Sequence, residues 1–423
     1  MDITPIRAEA RRLGGFDFFL LWAGVAISLA EIWAGGFLAP LGFWAGVWAI
    51  ILGHLIGNTF MALGGVAGSE HGIMAMVAVR PAFGIRGSGL AAALNIVQLI
   101  GWAAIMLIIG GRAGATLGAS VGGPLAADAF WILLIGCGTL GWALFTGRTF
   151  WKVMQTCAVL GLLLVILLMT VVSVRSFGAA VGMVPAETMP FMVGLDLVIA
   201  MPISWMPLVA DYSRFARSTR SAFWQTWWGY FIVSSWMYLL GLMATLVTGE
   251  SDPGMLILQT MGRIGMAVPA LIMVVFSTIT SDFPDVYSAT CSMLNISQRI
   301  KARTLMWIAG GLAIAVALVF PMERYESFLL LIGAMFVPLY GVVLTDYFLV
   351  RWRVIDVDAL DEKDGPYWYR GGVNPIAFVS WAVGFGVFQW SVNSGYPLGG
   401  SLPSILVAGA LYYFLTPPKT FRK

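Results

Sequence analysis

Apolar residues run along this chain in long blocks separated by short polar stretches, without the period-two alternation or narrow stripes of a water-soluble fold. A helix needs about 20 mostly apolar residues to cross a bilayer. Windows of that kind start near Phe16, Phe43, Ser88, Ala129, Trp151, Phe191, Phe223, Gly265, Thr304, Ser327, Pro375 and Leu402. The pattern predicts an all-α polytopic membrane protein of twelve transmembrane helices. The first, sixth and eighth windows are the least uniformly apolar.

Composition points the same way. Of 423 residues, 59% are hydrophobic and 11% charged, with a mean hydropathy of +0.87, where a soluble domain carries about 25% charged residues. The solvent for most of this chain is lipid, and no polar stretch is long enough for a separate soluble domain. Arg7, Arg11 and Arg12 precede the first apolar run as in a signal peptide. No small-residue cleavage site leads into a soluble chain, however, so residues 1–15 read as a cytoplasmic tail. With that end inside, only Arg112, Arg175, Arg263 and Arg324 of the 24 Lys and Arg fall in outside segments. Positive residues favour the cytoplasmic side, and one span more or fewer would scramble this parity. The expected location is the cytoplasmic membrane, with both termini inside.

The net charge of +3 is too small to suggest nucleic acid, and Cys137, Cys157 and Cys291 lie in apolar segments at no metal-ligand spacing.

Span starts 16, 88, 129 and 151 recur at 191, 265, 304 and 327, offset by 175 to 177 residues. Five spans followed by five more require the second set to sit inverted, an arrangement characteristic of secondary transporters, whose sites form where discontinuous helices meet. The first helix of each set carries an interruption: Ser28-Leu-Ala-Glu31-Ile-Trp-Ala-Gly35-Gly36, and Met201-Pro202-Ile-Ser204-Trp205-Met-Pro207. Two prolines five residues apart remove backbone donors and open the helix locally. Freed backbone at membrane depth is tolerated only where protein or a wet cavity covers it. The predicted organisation is a first repeat over 16–174, a second over 191–350, a cytoplasmic loop over 351–374, an accessory helix pair over 375–416 and a tail over 417–423.

At these interruptions the chain resembles the nucleobase–cation symport-1 family, the cytosine, purine and hydantoin permeases. The resemblance rests on Ser204-Trp205-Met-Pro-Leu-Val-Ala-Asp211-Tyr212-Ser213-Arg214-Phe215, on Pro338-Leu-Tyr-Gly341 running to Asp346-Tyr347-Phe348, and on Tyr369-Arg-Gly-Gly-Val-Asn374. Ile27-Ser28-Leu-Ala-Glu31-Ile with Leu52-Gly-His54, and Leu195-Asp196 through Trp205, resemble the hydroxymethylpyrimidine (CytX-like) branch. The resemblance implies a LeuT-type core of five plus five helices with two accessory spans. It also implies a cation symporter taking up 4-amino-5-hydroxymethyl-2-methylpyrimidine, a thiamine precursor, with cytosine or another nucleobase as the alternative.

A flat heterocycle needs faces to stack on and groups that match its edge. Trp205 lies between the two prolines, next to Ser204, and Trp102 lies in the third span. The resemblance implies aromatic or amide groups beside substrate at these places, although most of the 18 tryptophans serve as lipid-facing anchors. Asn95, Gln98 and Trp102 are spaced three and then four apart, on one helix face. A primary amide offers a donor beside an acceptor, which suits a 4-aminopyrimidine edge, although helix-to-helix bonding is the commoner use of such groups. Glu31 is a carboxylate at membrane depth, where insertion costs about 2.5–3.5 kcal/mol, and so is a functional candidate. It could accept from a substrate amino group, carry a coupling proton, or bond the freed amides of the interruption. Asp196 is expected near the outer end of its span, as a gate or a solvated carboxylate. His54 and His71, 17 residues apart, have no metal-ligand spacing.

For the coupling ion, Ser277 and Thr278 match the family's hydroxyl pair for sodium, with Thr280 and Ser281 as a shifted alternative and Ala26 and Ser28 as carbonyl contributors. Ser281-Asp282 departs from the asparagine that related permeases often carry, which brings in Asp282 as a substrate-edge or proton-coupling group. Hydroxyls bonding back to helix carbonyls are the competing reading. Asp211–Arg214 and Asp346–Arg351 read as caps and anchors at span ends. No His-Glu-x-x-His or Gly-x-Ser-x-Gly motif is present, so an embedded enzyme is not indicated, and an inverted repeat in one chain suits alternating access better than a channel.

Overall fold

The long apolar blocks form long helices, and the breaks fall where side-chain chemistry competes with the helical ladder. The computed structural model describes residues 4–144, 148–185, 188–296 and 300–417. Its main helices are α1 (Gly15–Ala26), α2 (Leu29–Gly36), α3 (Phe43–Gly64), α4 (Ser88–Gly118), α5 (Asp128–Leu144), α6 (Arg148–Arg175), α7 (Phe191–Ile203), α8 (Met206–Ser213), α9 (Thr219–Thr248), α10 (Ala267–Ser281), α11 (Phe283–Ile296), α12 (Ala302–Val319), α13 (Tyr325–Thr345), α14 (Pro375–Ser394) and α15 (Ser401–Leu415). Among the described residues nine spans are long and apolar enough to cross a membrane. The pair α1–α2, bent by 59°, makes a tenth, and two shorter apolar helices, Asp128–Trp142 and Ser401–Leu415, lie at the windows predicted from Ala129 and Leu402.

The two interrupted spans break within a residue or two of each other's equivalent positions. Ser28 ends α1 and starts α2: its backbone is extended, and its hydroxyl accepts from the Ala30 amide at 3.2 Å. This capping bond satisfies an amide that the broken ladder leaves free. In the sixth span α7 stops at Ile203, one residue after Pro202, and α8 starts with Pro207 in its first turn, where a missing N–H costs nothing. Ser204 and Trp205 form the joint. The eighth span also breaks, at Asp282, two residues before Pro284.

Of the apolar stretch spanning α7 and α8, 83% is buried, against 28% for α14. The second broken helix is therefore central and the accessory pair peripheral. α7 lies against α3, α1 and α2 run along α9, and α13 packs on α14 and α15. Glycines set the closest of these approaches. A Cβ on Gly241 would sit 1.7 Å from the Ile32 carbonyl oxygen, and one on Gly35 would sit 2.1 Å from that of Tyr238. Small residues that let backbones meet are the usual basis of close packing between membrane helices, and here they press α2 onto α9. Gly241→Ala is expected to lower thermal stability in detergent by about 1–3 kcal/mol through overpacking. Gly311→Ala, which would meet no atom within 4 Å, is the control, and equal melting curves for the two would count against this packing.

Several charged residues prove to be structural. Asp196 is not a solvated carboxylate: it is buried and accepts from the amides of Gly400 at 2.6 Å and Ser401 at 2.9 Å. A carboxylate suits the positive end of a helix, and it ties α7 to the start of α15. Asp211 accepts from the Ala75 amide at 2.9 Å, at the start of the short helix Ala75–Ala78. Arg351, buried beside α13, donates to Asp346 at 2.6 Å, to the Pro81 carbonyl at 2.7 Å and to the Tyr369 hydroxyl at 2.8 Å. The loop motif ending at Asn374 docks the 351–374 segment: the Asn374 amide donates to the Ala82 carbonyl at 2.7 Å, and its oxygen caps α14 at Ile376.

Candidate functional site

The break in α1–α2 faces the joint of α7–α8 across a cavity of about 450 Å³. Its wall includes Ser28 and Glu31 from the first break, Trp205 and Tyr212 from the second, Trp102 and Met106 from α4, Ser277, Thr278 and Thr280 from α10, and Asp285 from α11. Leu20, Leu21, Gly24 and Val25 continue it along α1, with Ala158, Val159 and Leu162 of α6 beside them.

Glu31 is 2% exposed, and two hydroxyls of α9 bond it, one on each oxygen. Tyr230 donates to Oε1 at 2.5 Å and Ser234 to Oε2 at 2.5 Å. Tyr230 in turn accepts from the Trp205 indole N–H at 3.0 Å. A carboxylate offers about four lone-pair sites, so two bonds leave acceptor capacity for a ligand. The same chain of bonds fixes the Trp205 ring, which is also held edge-on by Trp22, with centroids 6.0 Å apart. The two broken helices thus meet through one hydrogen-bonded chain, Trp205 to Tyr230 to Glu31.

A second aromatic group lies on the far side of Glu31. Tyr325 stacks on Trp33 with centroids 4.5 Å apart, Trp102 packs against Tyr325 and Phe328 at 6.0 and 5.4 Å, and the Tyr325 hydroxyl donates to the Ala30 carbonyl at 3.3 Å. From Glu31 the cavity runs the other way, along α1 toward its N-terminal end. There the end of α8 also lies, since the Arg12 and Leu13 amides both donate to the Phe215 carbonyl at 3.0 Å. The cavity wall thus continues along α1 toward the face that carries the N-terminus, while Trp33 and Tyr325 pack together beyond Ala30.

The other candidates fall in different places. Asn95, Gln98, Ser204 and Asp282 are buried but do not line the cavity. Asn95 donates to Ser292 at 2.9 Å, and Gln98 donates to the Asn95 side-chain oxygen at 2.8 Å and to the Ser204 carbonyl at 2.9 Å. These amides brace α4 against α11 and hold the joint from behind. The Ser204 hydroxyl donates to the Met201 carbonyl at 2.6 Å. Among the described residues neither carboxylate oxygen of Asp282 has a hydrogen-bond partner. Ser277 and Thr278 both donate to the Val274 carbonyl, at 3.0 and 2.9 Å, and Thr280 to that of Ser277 at 2.9 Å. Ala26 ends α1, whose last carbonyls lack amide partners four residues on. The Ser281 side chain lies outside the described residues.

Sequence reasoning passes over Tyr230, Ser234 and Asp285. The first two belong to a hydroxyl series, Tyr230, Ser234 and Tyr238, repeating every four residues along one face of the apolar α9. That regularity is the one signal that could have paired them with a buried carboxylate.

Residues 5–414 match the family described as permeases for cytosine/purines, uracil, thiamine and allantoin. The chain belongs to this family. It is a membrane transporter and not an enzyme. It is 24% identical to the cytosine permease of Escherichia coli (strain K12) over 363 residues, covering 85% of this chain and 80% of that one. It is 28% identical over 256 residues to YxlA of Bacillus subtilis (strain 168), covering 54% of this chain and spanning about half, 55%, of that relative. Its fold is similar to that of Mhp1, a nucleobase–cation-symport-1 family transporter, in the inward-facing conformation. The TM-score is 0.85 at 22% identity, covering 97% of this chain and 91% of Mhp1. The all-helical LeuT-type architecture that the family resemblance implies is therefore the observed one.

Proposed function

We propose that this permease imports a flat amino-substituted heterocycle, hydroxymethylpyrimidine in the first instance, in symport with sodium. The observation that carries the reading is Glu31 on the wall of one cavity with the Trp205 and Trp102 rings. An aminopyrimidine presents two apolar faces and an N–H edge. The rings supply faces, and the carboxylate supplies an acceptor that strengthens when charged. Cytosine has the same amino group beside a ring nitrogen, and the cytosine permease of E. coli is among the relatives, so cytosine is the second reading.

Sodium is a hard cation that takes oxygen ligands. Ser277 and Thr278 each spend their proton on the Val274 carbonyl, which leaves their oxygen lone pairs free at the cavity wall near the end of α1. The carbonyl of Ala26 and the Ser28 residue complete an oxygen-only set, with Thr280 as the alternative hydroxyl. Changing Ser277 and Thr278 together to Ala should abolish the sodium stimulation of uptake. Stimulation that survives the double change would reject this set.

The Lys and Arg distribution supports a cytoplasmic N-terminal face in the cytoplasmic membrane, so the wall along α1 would run toward the cell interior. The repeat boundaries at 16–174 and 191–350, with an accessory pair over 375–416, fit the same reading.

The deciding experiment is uptake of labelled hydroxymethylpyrimidine by cells expressing the chain, with sodium present or replaced and unlabelled cytosine as competitor. Saturable uptake that cytosine competes poorly supports the primary reading. Labelled cytosine taken up while hydroxymethylpyrimidine is not would replace it with the second.

A further inference from the structure

Behind the cavity wall stands a group that substrate recognition alone does not require. His54, fully buried on α3, does not line the cavity, yet it joins Glu31 through Ser234. Its Nε2 lies 2.5 Å from Ser234 Oγ, and that oxygen lies 2.5 Å from Glu31 Oε2. Its Nδ1 lies 2.9 Å from the Ile50 carbonyl oxygen.

Donor and acceptor bookkeeping limits where the protons sit. A carbonyl only accepts, so Nδ1 carries hydrogen. Ser234 has one O–H to give. If it donates to Glu31, the contact with His54 requires a proton on Nε2, and an imidazolium faces a carboxylate. If it donates to Nε2, the ring is neutral, and the contact with Glu31 requires a proton on Oε2. The two arrangements contain the same number of protons and differ by a concerted shift: Nε2–H to Ser234 Oγ as the Ser234 proton passes to Glu31 Oε2. Remove one proton, and Ser234 can satisfy only one of its neighbours.

We propose that Glu31, Ser234 and His54 form a buried proton-binding site, in which one proton held on His54 Nε2 and relayed through Ser234 balances the Glu31 carboxylate at the cavity wall. This rests on Glu31 being the group that faces substrate. The other titratable groups around the triad are Tyr230 and Tyr238 on α9, Tyr325 on α13, and Asp285, which lines the same cavity from α11. Tyr230 donates to Glu31, the Tyr238 ring lies edge-on to His54 at 5.0 Å, and Tyr325 donates to Ala30. Asp196 on α7 is turned away onto α15. Among the described residues no salt bridge reaches Glu31, so His54 is the group placed to balance its charge. An unbalanced carboxylate is the stronger acceptor for the amino edge of an aminopyrimidine, and an imidazolium paired with it weakens that pull. The proton therefore sets how strongly the wall holds an amino edge.

The chain has two histidines, which allows a direct test without substrate. Protein labelled with [15N]histidine in lipid bilayers is titrated between about pH 5 and 8, where histidine charge changes are ordinarily read, and the ring nitrogens are followed by solid-state NMR. His71→Gln assigns the signals. In the wild type the His54 Nε2 signal should pass between protonated and bare forms while Nδ1 stays protonated. In Glu31→Gln, and in Ser234→Ala, Nε2 should stay bare throughout, with an unchanged His71 signal showing intact folding. An Nε2 signal identical in wild type and Glu31→Gln across the titration overturns the proposal. That result would leave the transport reading standing, because the uptake assay decides it separately.

Discussion

Glu31→Gln is expected to lower uptake of a labelled aminopyrimidine roughly 10- to 100-fold while leaving membrane insertion unchanged. Hydrogen bonds to a charged group are worth about 1.5–3 kcal/mol, and each 1.4 kcal/mol is about tenfold in affinity. The amide is nearly the same size as the carboxylate, so packing survives. What changes is the edge: one acceptor oxygen becomes an N–H2 donor facing either the Tyr230 or the Ser234 hydroxyl, each of which donates to its own oxygen of Glu31 in the native chain. That hydroxyl must turn, and where it is Tyr230 the bond that orients Trp205 is disturbed with it. Glu31→Asp keeps the charge but withdraws it by one methylene, and should fall between wild type and Gln. The assay is saturable uptake normalised to protein in the membrane. Wild-type uptake by Glu31→Gln would remove the carboxylate from the substrate site.

Much of this site could be read from residue order, and the parts that could not share a physical cause. Glu31 stands out because a carboxylate in an apolar run is costly wherever it points. The two breaks stand out because Pro202 and Pro207 lack amide protons, and because Ser28 caps readily. These signals are local. Tyr230 and Ser234 lie 199 and 203 residues from Glu31, and a hydroxyl in a membrane helix usually bonds its own backbone. Nothing local distinguishes a hydroxyl that reaches a carboxylate from Thr170 or Thr290, which bond back to Ile166 and Val286.

The amides of α4 show the same limit from the other side. The spacing of Asn95, Gln98 and Trp102 correctly places them on one face, but a face spans several neighbours. Trp102 reaches the cavity, while Gln98 meets the Ser204 carbonyl that the α7–α8 break sets free. A freed carbonyl buried without a partner would itself be costly, so the amide next to it is already committed before any substrate arrives. Asp196 follows this logic too. Its partner amides at Gly400 and Ser401 belong to an accessory helix some 200 residues away, which no reading of its own span reveals.

Trp205→Ala is expected to weaken heterocycle binding by about 5- to 150-fold, the equivalent of the roughly 1–3 kcal/mol that aromatic stacking contributes per base. The loss has two separable parts. The ring supplies the stacking face, and its N–H donates to Tyr230, which in turn donates to Glu31. Trp205→Phe keeps a face and deletes the donor, leaving the Tyr230 oxygen without that bond but still able to donate to Glu31. If stacking dominates, Phe should recover most of the affinity that Ala loses. If the ring acts chiefly by steering Tyr230, Phe should resemble Ala. Equilibrium binding of labelled hydroxymethylpyrimidine or cytosine to purified protein separates the cases, with Trp102→Phe measured beside it. Trp102 packs against Tyr325 and Phe328 and has no bond to the Tyr230–Glu31 chain among those described, so its replacement should cost less than that of Trp205. Wild-type affinity in Trp205→Ala would discard stacking at this joint, and leave Glu31 to hold the heterocycle by its edge alone.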